Sequence, residues 1–118
     1  MKKLLVIFRN SPYSSLIAQE GIELTLLASS YALDLSVLFL GNGVLQLLKN
    51  QRPEKIFRKN LGKMLAALSF YEIKNIYADQ DALAQYQLQK DQLVLNCQNV
   101  NQQQISDIIH EHQGIINC

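Results

Sequence analysis

The chain is poor in the residues that mark disulfide-rich, disordered and strongly charged proteins. Its 118 residues include two cysteines, two prolines, five glycines and no tryptophan, and charged side chains make up 18%. Two cysteines are too few for the disulfide framework of a small secreted domain. The formal net charge of +1 excludes a strongly basic nucleic-acid binder, as judged by total charge.

Long apolar runs are also missing from the sequence. No stretch reaches the ~18 apolar residues that a membrane span needs. The apolar run that follows Lys3 ends at Phe8 after five residues, whereas the core of a signal peptide has ~7 to 15. We therefore expect a reduced, cytoplasmic and soluble protein in which Cys97 and Cys118 form no disulfide.

The apolar content is high enough for a folded core. Hydrophobic residues make up 48% of the chain, and a domain of this length buries roughly two-thirds of the surface that its unfolded chain exposes. The low hydrophobicity and high net charge of disordered proteins are both absent. Because no internal repeat or linker divides the chain, we expect one domain over residues 1–118.

Apolar runs alternate with helical periodicities along the whole chain. The uninterrupted apolar run at residues 4–8 is typical of a strand that is buried on both faces of a parallel sheet. The predicted strands are residues 3–8, 34–40, 74–78, 92–97 and 115–118, and the predicted helices are residues 14–30, 44–48 (one short turn), a helix that opens at Pro53, 82–86, and a helix that follows Asn101. This alternation predicts an α/β fold: a three-layer sandwich with a five-stranded, mainly parallel sheet, flavodoxin-like or closely related.

The starts of the last two predicted helices carry recognisable capping residues. Asp79 or Asp81 can cap the helix at residues 82–86, because a short carboxylate accepts hydrogen bonds from the first free N–H groups. Asn101 and Gln104 have the spacing of a capping box. Both signals follow predicted strands, as the alternation of strands and helices requires.

The carboxyl ends of the predicted strands are the place to search for a site, because open parallel sheets bind their ligands there. The sequence predicts these ends at Arg9–Tyr13, Gly41–Val44, Ala78–Asp81, Cys97–Asn99 and Cys118.

Neither a cofactor nor a metal ion is expected. Gly41-Asn42-Gly43 lacks the third glycine of a dinucleotide-binding fingerprint, so we interpret it as a tight turn. His110 and His112 are two residues apart on a predicted helix. Their side chains therefore point to roughly opposite sides and are poorly placed to hold one metal ion.

Cys97 is the one interior thiol, and two interpretations of it are open. The helix that begins near Asn101 could lower the pKa of the thiol and make it a nucleophile. A buried free cysteine is more often a small apolar core residue. We favour the core interpretation and keep the nucleophile as the alternative.

Residues 49–63 are the most basic part of the chain. They include six lysines and arginines against one acid, Glu54. A solvated helix face is the more common explanation of such a run. The functional alternative is a docking patch for an acidic partner or an RNA backbone.

A motif after the second predicted strand resembles a known family. Residues 43–53, Gly-Val-Leu-Gln-Leu-Leu-Lys-Asn-Gln-Arg-Pro, are similar to the G-V-x-Q-L-L-x-x-Q-x-P stretch of the TusC/DsrF family. Ser11-Pro12-Tyr13 and the Glu20-Gly21-Ile22-Glu23 step also follow the family pattern in order. The resemblance covers essentially the whole chain, although from Tyr86 onward it holds only in pattern.

This resemblance implies a fold and a function. The implied fold is DsrE/DsrF/DsrH-like, and the implied role is that of a cytoplasmic subunit that assembles with TusB-like and TusD-like subunits as a dimer of heterotrimers. That complex passes persulfide sulfur to a TusE-like acceptor, toward the 2-thiolation of the tRNA wobble uridine. A related DsrF-like subunit serves sulfur oxidation instead. Direct contact with RNA is not expected.

The resemblance also implies that this subunit is not catalytic. The transfer cysteine of TusD/DsrE-type subunits lies just after the third strand, where this chain has Tyr77-Ala78-Asp79-Gln80. No residue here is therefore assigned a catalytic role. The candidate partner interface is Val44, Leu45, Gln46, Leu47 and Leu48, although these side chains could instead fill the core of the domain itself.

Two other classes of function remain as alternatives. A stand-alone, thiol-dependent sulfur carrier would use Cys97 as its nucleophile. A small-ligand or nucleotide-binding module would use the carboxyl ends of the strands, but the missing phosphate loop makes it the weakest of the hypotheses.

Overall fold

A computed structural model describes residues 3–9, 17–29, 34–48, 66, 73 and 75–118. The elements in these residues are β1 (Lys3–Phe8), α1 (Ile17–Ser29), β2 (Asp34–Phe39), a 3₁₀ helix (Gly41–Leu47), β3 (Asn75–Asp79), α2 (Gln80–Gln85), a 3₁₀ turn (Lys90–Gln92), β4 (Gln98–Val100), α3 (Gln102–Glu111) and β5 (Gly114–Asn117). The helix predicted to open at Pro53 and the basic residues 49–63 lie outside the described residues.

The five strands form one parallel sheet in the order β4-β3-β2-β1-β5. The predicted α/β fold with a five-stranded parallel sheet is confirmed. Because all strands run the same way, their carboxyl ends meet at one edge, which we call the carboxyl edge. Their amino ends meet at the opposite edge, the amino edge.

Both faces of the sheet are buried by apolar side chains. Successive residues of a strand point to opposite faces, so Val6 and Phe8 join one core and Leu5 and Ile7 join the other. Phe8 stacks on Phe39 of β2 with ring centroids 5.0 Å apart. This double burial is the physical reason for the uninterrupted apolar run in β1.

The helices divide between the two faces as the strand order requires. Ala82 and Leu83 of α2 join the core that contains Phe8, whereas Ile105 and Ile108 of α3 join the opposite core. The connections that leave β3 and β4 therefore pass to opposite faces. A crevice at the carboxyl ends of two such strands is where open α/β sheets bind ligands.

The predicted fourth strand at residues 92–97 is wrong. β4 is Gln98–Val100, and the apolar residues before it cross the core as irregular chain. Leu93 forms an antiparallel bridge with Leu48, and the Val94 N–H donates to the Leu47 carbonyl at 2.7 Å. The apolar run is largely buried, but it packs against the 3₁₀ helix and not within the sheet.

The other predicted elements shift by a few residues. The short turn predicted at residues 44–48 is the 3₁₀ helix Gly41–Leu47, and the strands predicted at 74–78 and 115–118 are Asn75–Asp79 and Gly114–Asn117. The capping box of Asn101 and Gln104 is present. No helix in the described part of the chain has the length and apolarity needed to span a membrane.

Gly43, the first residue of the family-like motif, lies against the backbone of β1. A methyl group on Gly43 would lie 1.8 Å from the carbonyl oxygen of Phe8, which is far inside van der Waals contact. The close approach brings the 3₁₀ helix over the end of the sheet, where Val44 and Leu47 enter the core. Only glycine fits at this position.

We expect Gly43→Ala to lower the free energy of unfolding by about 3 kcal/mol, since the added methyl must displace strand backbone. Urea unfolding measures the loss. Gly41→Asn is the matched control, because Gly41 has a φ of 55° with no atom within 4 Å of an added Cβ, and asparagine tolerates this conformation. Equal stability losses in the two variants would contradict the steric explanation.

Candidate functional site at the carboxyl edge

Asp79, the last residue of β3, is the central side chain of the carboxyl edge. It is only 5% exposed, and its carboxylate accepts three backbone hydrogen bonds. Oδ1 accepts from the N–H groups of Asp81 at 3.1 Å and Ala82 at 3.3 Å, and Oδ2 accepts from the N–H of Gly41 at 3.1 Å. Asp79 therefore caps α2 and ties the chain after β2 to the end of β3.

Further side-chain hydrogen bonds link the loops on this edge. The Tyr86 hydroxyl donates to Oδ1 of Asn42, which joins the end of α2 to the 3₁₀ helix. Gln102 Nε2 donates to Oδ2 of Asp81 at 3.2 Å and so joins the start of α3 to the start of α2. The described polar side chains at the carboxyl ends of β2, β3 and β4 are thus carboxylates, amides and a phenol, and none of them can form a persulfide.

Cys97 lies at the amino edge, not at the carboxyl edge where the sequence placed it. The correction follows from β4, which starts at Gln98, one residue after the cysteine. The thiol is buried and lies 3.6 Å from the carbonyl oxygen of Leu95. Burial raises the pKa of Cys97 to about 12, so the thiol is protonated at neutral pH. These properties are those of a core residue.

Two shallow cavities border Cys97. Their volumes are about 220 and 400 Å³, and Asn96 lines both of them. The smaller cavity is lined by Lys90 and residues 93–97. The larger cavity is lined by β3 residues such as Asn75 and Ile76. Neither cavity is lined by Asp79 or by any other residue of the carboxyl edge.

Cys118 is at the carboxyl edge, as predicted, but on the far side of the sheet from Asp79. Its N–H donates to the Ile7 carbonyl at 2.7 Å, and its carbonyl accepts from the Arg9 N–H at 2.8 Å. Burial and the charge of Glu20 raise the pKa of this half-buried thiol. Three strand spacings separate the ends of β5 and β3, a distance of roughly 14 Å. Both cysteines are free.

The histidines are engaged in local hydrogen bonds. Nδ1 of His110 lies 2.7 Å from the Ser106 carbonyl, and Nδ1 of His112 lies 2.6 Å from the Ile108 carbonyl. The described residues contain no group of three metal-ligating side chains.

The candidate interface at residues 44–48 is divided between core and surface. Val44, Gln46 and Leu47 have no exposed surface, whereas Leu45 and Leu48 are half-buried. A 3₁₀ helix has about three residues per turn, so Val44 and Leu47 fall on its inner side, and Leu45 and the C-cap residue Leu48 fall on its outer side. The outer pair is the part of this segment that a partner can reach.

The sequence pointed to part of this site. It identified Asp79 as one of two candidate caps for the next helix, and the structure selects Asp79. It gave no signal for the hydrogen bond to Gly41, because that contact joins residues 38 positions apart.

A sequence profile of the DsrE/DsrF-like family matches residues 2–118, and the chain belongs to this family. The α/β sheet and the site described above are those of one of its members.

The relatives include proteins of near-equal length. The chain is 33% identical over 111 residues to the TusC homolog of Vibrio parahaemolyticus, with 94% of each chain covered. It is 31% identical over 118 residues to TusC of Buchnera aphidicola from Schizaphis graminum, with 99% of each covered.

Two further matches concern a sulfur oxidation protein and a solved structure. The chain is 36% identical over 94 residues to the intracellular sulfur oxidation protein DsrF of Allochromatium vinosum, with 80% of this chain and 69% of that protein covered. The crystal structure of the YchN protein from E. coli superposes with a TM-score of 0.86 over 100% of both chains. At 15% identity, that similarity shows the fold alone.

We expect Cys97 to resist alkylation in the folded protein. A thiol with a pKa of about 12 is ionised in roughly one molecule in 10⁴ at pH 8, and only the thiolate is nucleophilic. Iodoacetamide labelling followed by peptide mass spectrometry should therefore modify the half-buried Cys118 first. In urea both cysteines should react at similar rates. Faster labelling of Cys97 in the native protein would contradict this account.

Proposed function

We propose that the chain is a non-catalytic subunit of a TusBCD-like sulfur-relay complex, which passes persulfide sulfur toward 2-thiolation of the tRNA wobble uridine. The near full-length similarity to proteins named TusC supports this assignment. Membership of the DsrE/DsrF-like family supports the broader class, a sulfur-relay protein.

The observation that carries the proposal is the buried carboxylate at the end of β3. Sulfur transfer requires a thiolate that attacks the outer sulfur of a donor persulfide. The S–S bond of the donor then breaks, and the donor leaves as a thiolate. Asp79 has no sulfur, and its two oxygens are occupied by three backbone N–H groups. In this chain, the residue directly after the third strand's core positions therefore has a structural role and not a catalytic one.

The two thiols of the chain are poor substitutes for a transfer cysteine. Cys97 is buried at the amino edge with a pKa of about 12. Cys118 has a raised pKa and lies three strands from Asp79. The stand-alone carrier that uses Cys97 is therefore the weaker hypothesis, and we assign the transfer cysteine to a partner subunit.

The partners in this proposal are TusB-like and TusD-like subunits in a heterohexamer, with a TusE-like acceptor that receives the sulfur through the complex. The outer pair of residues 44–48, Leu45 and Leu48, supplies apolar surface for a subunit contact, as obligate interfaces require. Val44, Gln46 and Leu47 support that surface from the core.

A DsrF-like role in sulfur oxidation is the second candidate. The 36% identity to DsrF over 94 residues favours it. Both candidates place the reactive thiol on a partner, so they differ in the final sulfur acceptor and not in the role of this chain. Measurement of tRNA 2-thiouridine in cells that lack the chain separates the two.

The first test removes both thiols from the chain. Cells that carry the Cys97→Ala, Cys118→Ser variant should retain their tRNA 2-thiouridine level, whereas cells without the chain should lose it. Persulfide trapping on the purified complex should detect the added sulfur on a partner only.

The control for this test is the stability of the variant chain and its presence in the complex at the normal level. A loss of more than about tenfold in sulfur transfer, with the complex intact, would assign the transfer thiol to this chain and end the proposal. A normal 2-thiouridine level in cells without the chain would instead favour the sulfur-oxidation role.

The second test concerns the outer pair. We expect Leu45→Asp to prevent assembly with the homologous subunits, because a buried unpaired carboxylate costs several kcal/mol in an apolar interface. Co-purification and native mass spectrometry measure assembly. Gln85→Asp, which adds the same charge to the exposed end of α2, is the matched control and should assemble. A Leu45→Asp variant that still assembles would remove this segment from the interface.

A further inference from the structure

Asn42 and Gly43 form a dipeptide that is chemically labile in an unfolded chain. An asparagine side chain can cyclise onto the backbone nitrogen of the next residue, and glycine hinders this approach least because it has no Cβ. Each of the other asparagines in the sequence is followed by a residue that carries a side chain. Asn42-Gly43 is therefore the position at which cyclisation meets the least obstruction.

The cyclisation is a balanced reaction that needs only water. The Gly43 nitrogen loses its proton and attacks Cγ of Asn42, and the side-chain nitrogen of Asn42 leaves as ammonia. Water then opens the resulting succinimide ring at either of its carbonyls. One product is aspartate, and the other is isoaspartate, in which the main chain runs through Cβ and Cγ. The net reaction consumes water and releases ammonia, with no oxidant or reductant.

The folded chain holds the attacking nitrogen in a hydrogen bond. The Gly43 N–H donates to the Leu40 carbonyl at 3.0 Å, in the first turn of the 3₁₀ helix. A hydrogen-bonded N–H loses its proton far less readily than a free one, which is the basis of protection from hydrogen exchange. Gly43 also lies against the backbone of Phe8, where an added methyl would be 1.8 Å from the carbonyl oxygen. Its backbone therefore has little room to turn toward the Asn42 side chain.

The Asn42 side chain is held as well. Asn42 is exposed to solvent, but its Oδ1 accepts a hydrogen bond from the Tyr86 hydroxyl, which fixes the orientation of the carboxamide. The N–H of the preceding Gly41 donates to Oδ2 of Asp79 at 3.1 Å. These two contacts, which we call the tethers, fasten the first turn of the 3₁₀ helix to the end of α2 and to the end of β3.

We propose that Asn42 is a deamidation site whose rate is set by local opening of the 3₁₀ helix, so that isoaspartate at residue 42 marks chains that have spent time open. The exposed position gives water access to the ring, and Gly43 supplies the nucleophile. When opening is fast and rare, the rate in the folded chain equals the rate in the unfolded chain multiplied by the open fraction. The tethers and the bond to Leu40 keep that fraction small. This chemistry does not depend on the sulfur-relay role.

Isoaspartate lengthens the main chain directly before a close backbone contact. It inserts one extra main-chain carbon next to Gly43, whose Cα position leaves no space toward Phe8. The 3₁₀ helix can then no longer keep Gly43 in that contact while Val44 and Leu47 remain in the core. Aspartate at residue 42, by contrast, leaves the length of the main chain unchanged.

The first measurement follows deamidation in the purified full-length chain. Samples are kept at mildly alkaline pH, folded or in urea, and peptide mass spectrometry that separates aspartate from isoaspartate reports on each asparagine. In urea, Asn42 should react faster than every other asparagine. In the folded chain it should react at least about tenfold more slowly than in urea, because the 3₁₀ helix must open first. Equal rates at Asn42 in the two conditions would overturn the proposal.

Tyr86→Phe tests the tether to the side chain. It removes only the hydroxyl that donates to Oδ1 of Asn42, and it should raise the folded-state rate by about fivefold, the factor that corresponds to one neutral hydrogen bond. Tyr77→Phe is the matched control, because this half-buried β3 tyrosine packs against the opposite core. It should deamidate at the wild-type rate, and in urea all three proteins should react alike.

The other outcomes separate local opening from different causes. A slower reaction in Tyr86→Phe would show that the phenol assists cyclisation as an acid, and would overturn its role as a tether. An equal acceleration in Tyr77→Phe would assign the effect to global stability and overturn local opening. Faster deamidation at another asparagine of the folded chain would overturn the choice of Asn42.

A last comparison separates the longer main chain from the added charge. Chains purified with isoaspartate at residue 42 should unfold at a lower urea concentration than the wild-type chain. Asn42→Asp is the matched control, because it adds the same carboxylate to a main chain of normal length, and it should unfold close to wild type. An isoaspartate form as stable as Asn42→Asp would overturn the claim that the 3₁₀ helix cannot accept the extra carbon.

Discussion

The carboxylate of Asp79 holds together two loops that the chain builds far apart in sequence. One oxygen caps α2 and the other accepts the N–H of Gly41, at the start of the 3₁₀ helix. A buried carboxylate is tolerated only when its oxygens are hydrogen-bonded, and here three backbone donors meet that requirement. The positions of the 3₁₀ helix and α2 relative to β3, and therefore the shape of the carboxyl edge, depend on this side chain.

The same constraint supports the proposal that this chain assists sulfur transfer without performing it. A carboxylate that serves as a helix cap cannot be a nucleophile toward sulfur, and the available thiols lie at other places. Cys97 is part of the core at the amino edge, and Cys118 lies against Gly21 of α1. Burial raises the pKa of both thiols, which makes them less reactive at neutral pH.

Part of the described apolar surface lies at residues 44–48. The outer pair, Leu45 of the 3₁₀ helix and Leu48 directly after it, lies near the carboxyl edge and depends on the close approach of Gly43 to Phe8.

The sequence by itself determined the alternation of strands and helices, the double burial of β1, the capping box at Asn101 and the absence of a thiol after the third strand, because these follow from local periodicity and residue type. Tertiary structure alone decided which edge each residue occupies. Cys97 lies at the amino edge and not at the predicted carboxyl edge, because the apolar run before it packs beside the 3₁₀ helix, where Leu93 bridges to Leu48. The bond from Gly41 to Asp79 and the burial of Leu47 likewise depend on contacts between distant residues, which local sequence patterns do not report.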